Sequence, residues 1–116
     1  MNDEIVNAVI ESAKFDTERG LSAWIMLNFG GSGQGFGGYL LYAPDGWTAH
    51  HDGGNYAGHF IYRVLQVAEV EDWAALRGRT VRAKRVDGMV QAIGHIVKDD
   101  WFNPSMDFAQ KEVKTP

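Results

Sequence analysis

The chain of 116 residues contains no cysteine and only three prolines. The lack of cysteine excludes disulfide bonds, thiolate metal ligands and a cysteine nucleophile. No stretch approaches the roughly 18 consecutive apolar residues of a membrane-spanning helix, so we expect no membrane association. The first residues, Met-Asn-Asp-Glu, also lack the positive charge and apolar run of a secretory signal. These absences favour a cytoplasmic protein.

Positive charge is scarce as well, because 11 Lys and Arg residues face 15 Asp and Glu residues and the net charge is −4. Such a balance argues against a strongly cationic nucleic-acid binder. Five basic residues nevertheless fall within nine positions that contain no acid, and we call them the basic ribbon. They are Arg77, Arg79, Arg82, Lys84 and Arg85. The length and the 45% hydrophobic content indicate one folded domain, expected over residues 1–110, with a frayed tail over 111–116.

Glycine, by contrast, is concentrated, since it occupies six of the nine positions in residues 30–38. Residues 21–29 and 39–42 read as strands, so the glycine stretch is expected to turn between them. It also contains a G-x-G-x-x-G pattern, but a dinucleotide site requires a helix directly afterwards, which residues 39–42 do not predict. Two alternatives remain: a bulged, tightly twisted hairpin, or a loop that contacts a ligand. In the second case the contacting residues would be Gly33, Gly35 and Gly38.

The remaining elements are predicted from hydrophobic periodicity and capping residues. Residues 4–15 fit either a helix or a strand, and we favour a strand over residues 8–15. Residues 56–68 predict the main helix with Asn55 as its N-cap, and residues 71–76 predict a short helical turn ended by Gly78. The predicted fold is α+β, an antiparallel sheet of about five strands with one main helix packed on one face.

Asp87-Gly88 between two apolar-patterned runs predicts a β-hairpin over residues 80–86 and 89–97. A two-residue loop would place Val86 opposite Met89, and the full expected pairing adds Lys84 opposite Gln91 and Arg82 opposite Ile93. The expected core face consists of Val81, Ala83, Val90, Ala92 and Ile96. The expected solvent face consists of Arg82, Lys84, Gln91 and His95. Two aromatic residues, Trp101 and Phe102, are expected to close the core before an Asn-Pro turn.

No group of residues in the sequence forms a catalytic or metal-binding motif. The four histidines, His50, His51, His59 and His95, lack the spacing of metal ligands, so we expect surface or hydrogen-bonded histidines. We therefore predict neither an enzyme nor a cofactor. Trp24 and Met26 make the second face of strand 21–29 apolar, which indicates that a helix, a binding partner or a second copy covers it.

Four motifs resemble a small uncharacterised family of bacteriophage and prophage proteins. They are Gly33-Gln-Gly-Phe-Gly-Gly-Tyr39, Trp73-x-x-Leu76-x-Gly78, Ile93-Gly94-His95 and Trp101-Phe102-x-Pro104. The resemblance extends over residues 10–104. It implies a phage origin and expression inside a bacterium, and it supplies no catalytic residues.

Two functions of different classes follow from these observations. The first is a non-enzymatic accessory protein that binds a host bacterial protein, such as a defence or replication factor, through the apolar surface around Trp24. The second is a small nucleic-acid- or nucleotide-binding module. It would use Arg79, Arg82, Lys84 and Arg85, with the glycine-rich hairpin as a backbone cradle.

Overall fold

The computed structural model describes residues 3–18, 20–42 and 56–113, with side chains up to Ala109. The strands are β1 (Asp3–Asp16), β2 (Leu21–Asn28), β3 (Gly33–Tyr42), β4 (Thr80–Val86), β5 (Met89–Gly94) and β6 (Trp101–Phe102). The helical segments are α1 (Tyr56–Ala68), a 3₁₀ turn (Trp73–Leu76) and α2 (Pro104–Val113). All strand neighbours are antiparallel, in the order β3-β2-β1-β4-β5-β6. The α+β class is confirmed, whereas the sheet has six strands rather than about five.

The core lies between α1 and one side of the sheet, which we call the helix side. Phe60 of α1 is completely buried there, with its ring centroid 5.9 Å from that of Phe36 and 6.1 Å from that of Phe102. Alternate residues of β2 face the same core, as the period-2 pattern predicts. These are Ala23, Ile25 and Leu27. Phe102 therefore closes the core as predicted, whereas Trp101, for which the same was predicted, is only half-buried and lies outside the buried cluster.

The first strand is longer than expected and changes partner along its length. Its first half pairs with β4, as in Val6 opposite Ala83, and its second half pairs with β2, as in Ala13 opposite Ile25. A bulge between Ile10 and Ser12 shifts the register within the β1–β2 pairing. The helical alternative for residues 4–15 is therefore wrong, because two neighbouring strands supply ladder partners that local periodicity does not reveal.

The β4–β5 hairpin forms, but its predicted register is correct only beside the turn. Val86 lies opposite Met89, while a bulge at Gln91 places Lys84 opposite Ala92 and Arg82 opposite Gly94. The predicted pairs of Lys84 with Gln91 and of Arg82 with Ile93 are therefore wrong, because one extra residue shifts everything beyond it.

The same hairpin ends earlier than the sequence indicated. β5 stops at Gly94 rather than at residue 97. His95 is consequently buried at 7% exposure, and Ile96 is 39% exposed, which reverses the predicted orientation of both side chains. The chain leaves the sheet at this point, so alternation no longer decides which side chain faces the core.

The Asn-Pro dipeptide begins a helix instead of forming only a turn. The Oδ1 atom of Asn103 accepts a hydrogen bond from the amide of Met106 at 3.3 Å, as an N-cap does, and Pro104 takes the first helical position. Phe108 then stacks on Tyr56 with the ring centroids 4.1 Å apart. Helix α2 continues to Val113, so the tail expected to fray from residue 111 is helical there. Within the described ranges, no helix is long and apolar enough to span a membrane.

Candidate functional site

Most of the glycine-rich stretch belongs to a strand rather than to a turn. The turn is confined to residues 29–32, where the amide of Phe29 donates to the carbonyl of Ser32 at 2.9 Å. Strand β3 then runs from Gly33 to Tyr42. The chain therefore continues as a strand after Gly38, whereas a dinucleotide site would need a helix there. Gly38 and Leu41 are extra residues relative to β2, and each produces a bulge. This is the bulged hairpin of the first alternative.

The glycines of β3 make room for two aromatic rings, one on each side of the sheet. A Cβ atom at Gly38 would lie 2.8 Å from Cζ2 of Trp24, and one at Gly35 would lie 3.3 Å from Cε3 of the same ring. On the helix side, a Cβ atom at Gly37 would lie 2.5 Å from Cζ of Phe60. The missing side chains therefore have a packing explanation, and the Trp24 ring covers Gly35 and Gly38 from one side.

Gly33, another predicted site residue, has a backbone neighbour instead of a ring. A Cβ atom there would lie 2.8 Å from the carbonyl oxygen of Leu27 on the adjacent strand. Gly33 itself is exposed at the start of β3. The close approach of the adjacent strand, rather than an aromatic ring, therefore explains the glycine at position 33.

The side of the sheet away from α1, which we call the outer face, carries apolar side chains that the helices of the described part do not cover. Ile5 and Val9 of β1 are 56% and 42% exposed. Trp24 and Met26 of β2 are half-buried beside the glycines of β3. Lys84 lies opposite Ile5 on β4. Exposed apolar patches with a polar rim mark protein interaction surfaces.

Arg82 of the basic ribbon also lies on the outer face, but its side chain is engaged within the protein. Nε donates to the carbonyl of His95 and Nη2 to that of Lys98, both at 2.8 Å. The guanidinium carbon lies 4.8 Å from the ring centroid of Trp101. That ring packs against Gly94, where a Cβ atom would approach it to 2.6 Å. Arg82 therefore holds the connection between β5 and β6.

The other ribbon residues do not extend this surface. Arg85 pairs with Glu4 and lies 5.0 Å from the Phe29 ring centroid, and the strand period places it on the helix side. Nε of Arg79 donates to the carbonyl of Ala68 at the end of α1. Lys84 is exposed, and among the described residues it has no hydrogen bond or ion pair. The structure therefore brings Arg82 and Lys84 to one face and directs Arg79 and Arg85 to the other.

A second cluster of charged groups joins the end of α1 to the turn after β5. The Nδ1 atom of His95 accepts hydrogen bonds from the amides of Val97 and Lys98, so the proton resides on Nε2, which lies 3.2 Å from Glu69. Nζ of Lys98 lies 2.7 Å from the same carboxylate. Both ring nitrogens of His95 are engaged by neighbouring groups. The lone pair of Nδ1 accepts hydrogen bonds and is therefore not available to abstract a proton. The cluster acts as a structural clasp.

We expect this clasp to weaken in acid. Hydrogen bonds from Lys98 and then from His95 lower the pKa of Glu69 from its ordinary 4.5 to about 2. A carboxyl group with a depressed pKa stabilises the fold above its unfolded value and loses that contribution as the pH falls from about 4.5 towards 2. Thermal melting between these pH values should therefore show a smaller acid-induced decrease in Tm for Glu69→Gln than for the wild type. The control is Glu71→Gln, and parallel wild-type and Glu69→Gln curves would contradict the assignment.

The histidines form no metal centre in the part of the chain that the structure describes. Nε2 of His59 lies 2.7 Å from Asp107 and so links α1 to α2. Across the described ranges no group of three His, Cys, Asp or Glu residues is placed to hold a metal ion. His50 and His51 lie outside those ranges.

Sequence reasoning missed Ile5 and Val9 as surface residues. The run from Ile5 to Ile10 is apolar at almost every position, so it contains no alternation that separates an outer from an inner face. Comparison with known proteins adds no assignment, because no family model, no curated protein and no solved structure matches the chain. The geometry of the outer face is therefore the basis for a proposed function.

Proposed function

We propose that this chain is a non-enzymatic accessory protein of phage origin that binds a host bacterial protein in the cytoplasm. The observation that carries the proposal is the exposure of Ile5 and Val9 on a sheet face that no helix of the described residues covers. Met26 and Trp24 lie on the same face further along β1, opposite Ser12 and Lys14. The host context comes from the resemblance to phage and prophage proteins. It makes a defence or replication factor the class of partner to examine first.

The outer face has the size and chemistry of a protein-binding surface. Measured along the curved sheet, five steps between neighbouring strands amount to roughly 24 Å, and one side of a standard interface needs about 800 Å². Stable complexes have an apolar centre and a polar rim, and charged residues are depleted at the centre. Here Ile5 and Val9 would occupy the centre and Lys84 the rim. A complementary partner would present apolar side chains with a carboxylate near Lys84.

The nucleic-acid alternative has less support from the contacts. Arg82 and Trp101 pack against each other, so neither is prepared to meet a phosphate or a base. Trp24 covers one side of Gly35 and Gly38, so a backbone cradle there is blocked from the outer face. Of the two basic-ribbon residues on the outer face, Lys84 is the exposed one, and a single phosphate contact provides little affinity.

Replacing Ile5 and Val9 together by lysine tests the proposal. Both side chains are exposed, so the fold should persist, while two cations at the centre of the interface should reduce partner affinity at least tenfold. The measurement is affinity capture from bacterial lysate, followed by calorimetric titration with the purified partner. Val97→Lys is the matched control, because Val97 is 80% exposed and lies in the turn after β5, away from Ile5 and Val9.

Two results would contradict the proposal. One is a partner that binds the double variant as tightly as the wild type, and the other is repeated capture without any stoichiometric partner. A labelled single strand that shifts at about 50 mM salt and is lost in Lys84→Glu would support the nucleic-acid alternative instead.

A further inference from the structure

A short stretch of the edge strand β3 has no neighbouring strand on one side among the described residues. One side of β3 pairs with β2, and the sheet order of the described strands places none on its other side. The bulges at Gly38 and Leu41 interrupt the later part of the strand, so residues 33–37 form its longest unbroken run of pairs with β2. Residues 30–42 contain no charged side chain. Native edges are normally protected by charges, prolines or bulges, and residues 33–37 have none of these.

The curvature of the sheet brings this stretch opposite β5. Between them lies a cleft of about 240 Å³, which we call the seam. Residues of β3, β5 and the start of α2 line it, and none of the lining residues is charged. They are Gln34, Gly35, Phe36, Gly37, Tyr39, Val90, Gln91, Pro104 and Ser105. The seam therefore presents neutral hydrogen-bonding groups, many of them from the backbone.

Gln34 shows what kind of group the seam accommodates. Its Oε1 atom accepts a hydrogen bond from the amide of Val90 at 3.2 Å. Strand β6 pairs with β5 only through Ile93 and Gly94, so no strand reaches the amide of Val90 from that side. In a completed sheet, a backbone carbonyl of the next strand would accept this bond. The carboxamide of Gln34 thus takes the place of a missing strand's carbonyl.

We propose that the seam binds an extended, uncharged peptide segment that pairs with residues 33–37 of β3 and replaces Gln34 at the amide of Val90. The inference rests on the proposed function, because it identifies the structural element that a host protein partner contributes. Strand addition to an open edge obtains affinity from main-chain hydrogen bonds. The neutral lining favours an uncharged segment, because a charge placed there would lose water without gaining a partner.

The test uses an immobilised array of uncharged eight-residue peptides rich in Val, Ile, Thr and Tyr. Each peptide is paired with a copy that is N-methylated at alternate amides, which removes the strand hydrogen bonds. We expect the wild-type protein to bind a subset of the parent peptides and to bind their methylated copies at least tenfold more weakly. Ser105→Trp should block the seam, because Ser105 is an exposed lining residue. Met106→Trp is the matched control, since Met106 is 61% exposed and does not line the seam.

Gln34→Ala separates a binding role from a structural one. If Gln34 occupies the place of the peptide carbonyl, its removal should raise peptide affinity severalfold, even though Val90 loses its acceptor and the protein melts at a lower temperature. Peptide binding should also slow hydrogen exchange at the amide of Val90. A purely structural Gln34 would leave affinity unchanged or lower it, which would contradict the proposal.

Further outcomes distinguish the seam from the outer face. The Ile5/Val9 double lysine variant should bind the array peptides like the wild type, so a failure of lysate capture alone would overturn only the proposed function. An array that binds no peptide, or that binds methylated copies equally well, would overturn the seam proposal. So would a wild-type dimer that protects residues 33–37 from exchange and excludes the peptides, because the occupant would then be a second copy.

Discussion

Gly37→Val should lower the free energy of unfolding by about 4 kcal/mol, which is a large part of the 5–15 kcal/mol of an ordinary domain. Gly37 has φ +120°, a region that other residues enter at a cost of about 1–3 kcal/mol. The new Cβ atom would also lie 2.5 Å from Cζ of Phe60 and 2.8 Å from the carbonyl oxygen of Ala23. Overpacking of this kind adds about 1–3 kcal/mol. Urea unfolding followed by circular dichroism measures the loss.

The matched control is Gly30→Val. Gly30 also has positive φ, +98°, but a Cβ atom there meets nothing within 4 Å. The loss of unfolding free energy in Gly30→Val should therefore contain the backbone contribution alone, about 1–3 kcal/mol. The difference between the two variants measures the packing of Phe60 against β3. Equal losses in the two variants would show that the close approach of the ring does not constrain residue 37.

The second large loss of unfolding free energy, about 3–5 kcal/mol, is expected for Phe60→Ala. Phe60 is completely buried and contacts the rings of Phe36, Tyr39 and Phe102, with centroids between 5.5 and 6.1 Å away. These residues come from two different strands, β3 and β6, so a cavity at Phe60 cannot be filled by a small movement of one of them. Thermal and urea unfolding should both show the loss.

The control for this substitution is Tyr62→Ala on the same helix. Tyr62 is 61% exposed, and substitutions at such surface positions usually change stability by no more than about 0.5 kcal/mol. A loss below about 1 kcal/mol for Phe60→Ala would mean that α1 does not organise the core.

Several elements were predictable because a local signal determines them. The Asp87-Gly88 turn has φ +53° and +85°, as the preference of this dipeptide for positive φ predicts. Gly78, at φ +89°, follows the 3₁₀ turn where a helix-ending glycine was expected. Helix α1 was predictable from its apolar spacing. The start of α2 also had a local signal, since Asn103 and Pro104 suit the N-cap and first helical positions, but they were interpreted as a turn.

The bulges had no comparable signal. Nothing in the residues around Gln91 distinguishes a regular ladder from a bulged one, so the partners of Lys84 and Arg82 were predicted wrongly. Which side chains lie on the outer face also has no local signal, because the exposure of Ile5 follows from which strands flank β1. The seam depends on sheet curvature, which brings Gln34 to Val90 across 56 positions of the chain.

The sequence by itself determined the α+β class, the main helix, the positions of the tight turns and the alternation along β2, because each depends on residues within a few positions of one another. Only the tertiary structure decided the register beyond each bulge and the packing of the Trp24 and Phe60 rings against the glycines of β3. Those features arise where distant segments meet. There, one extra residue or one close backbone approach changes which side chains share a surface.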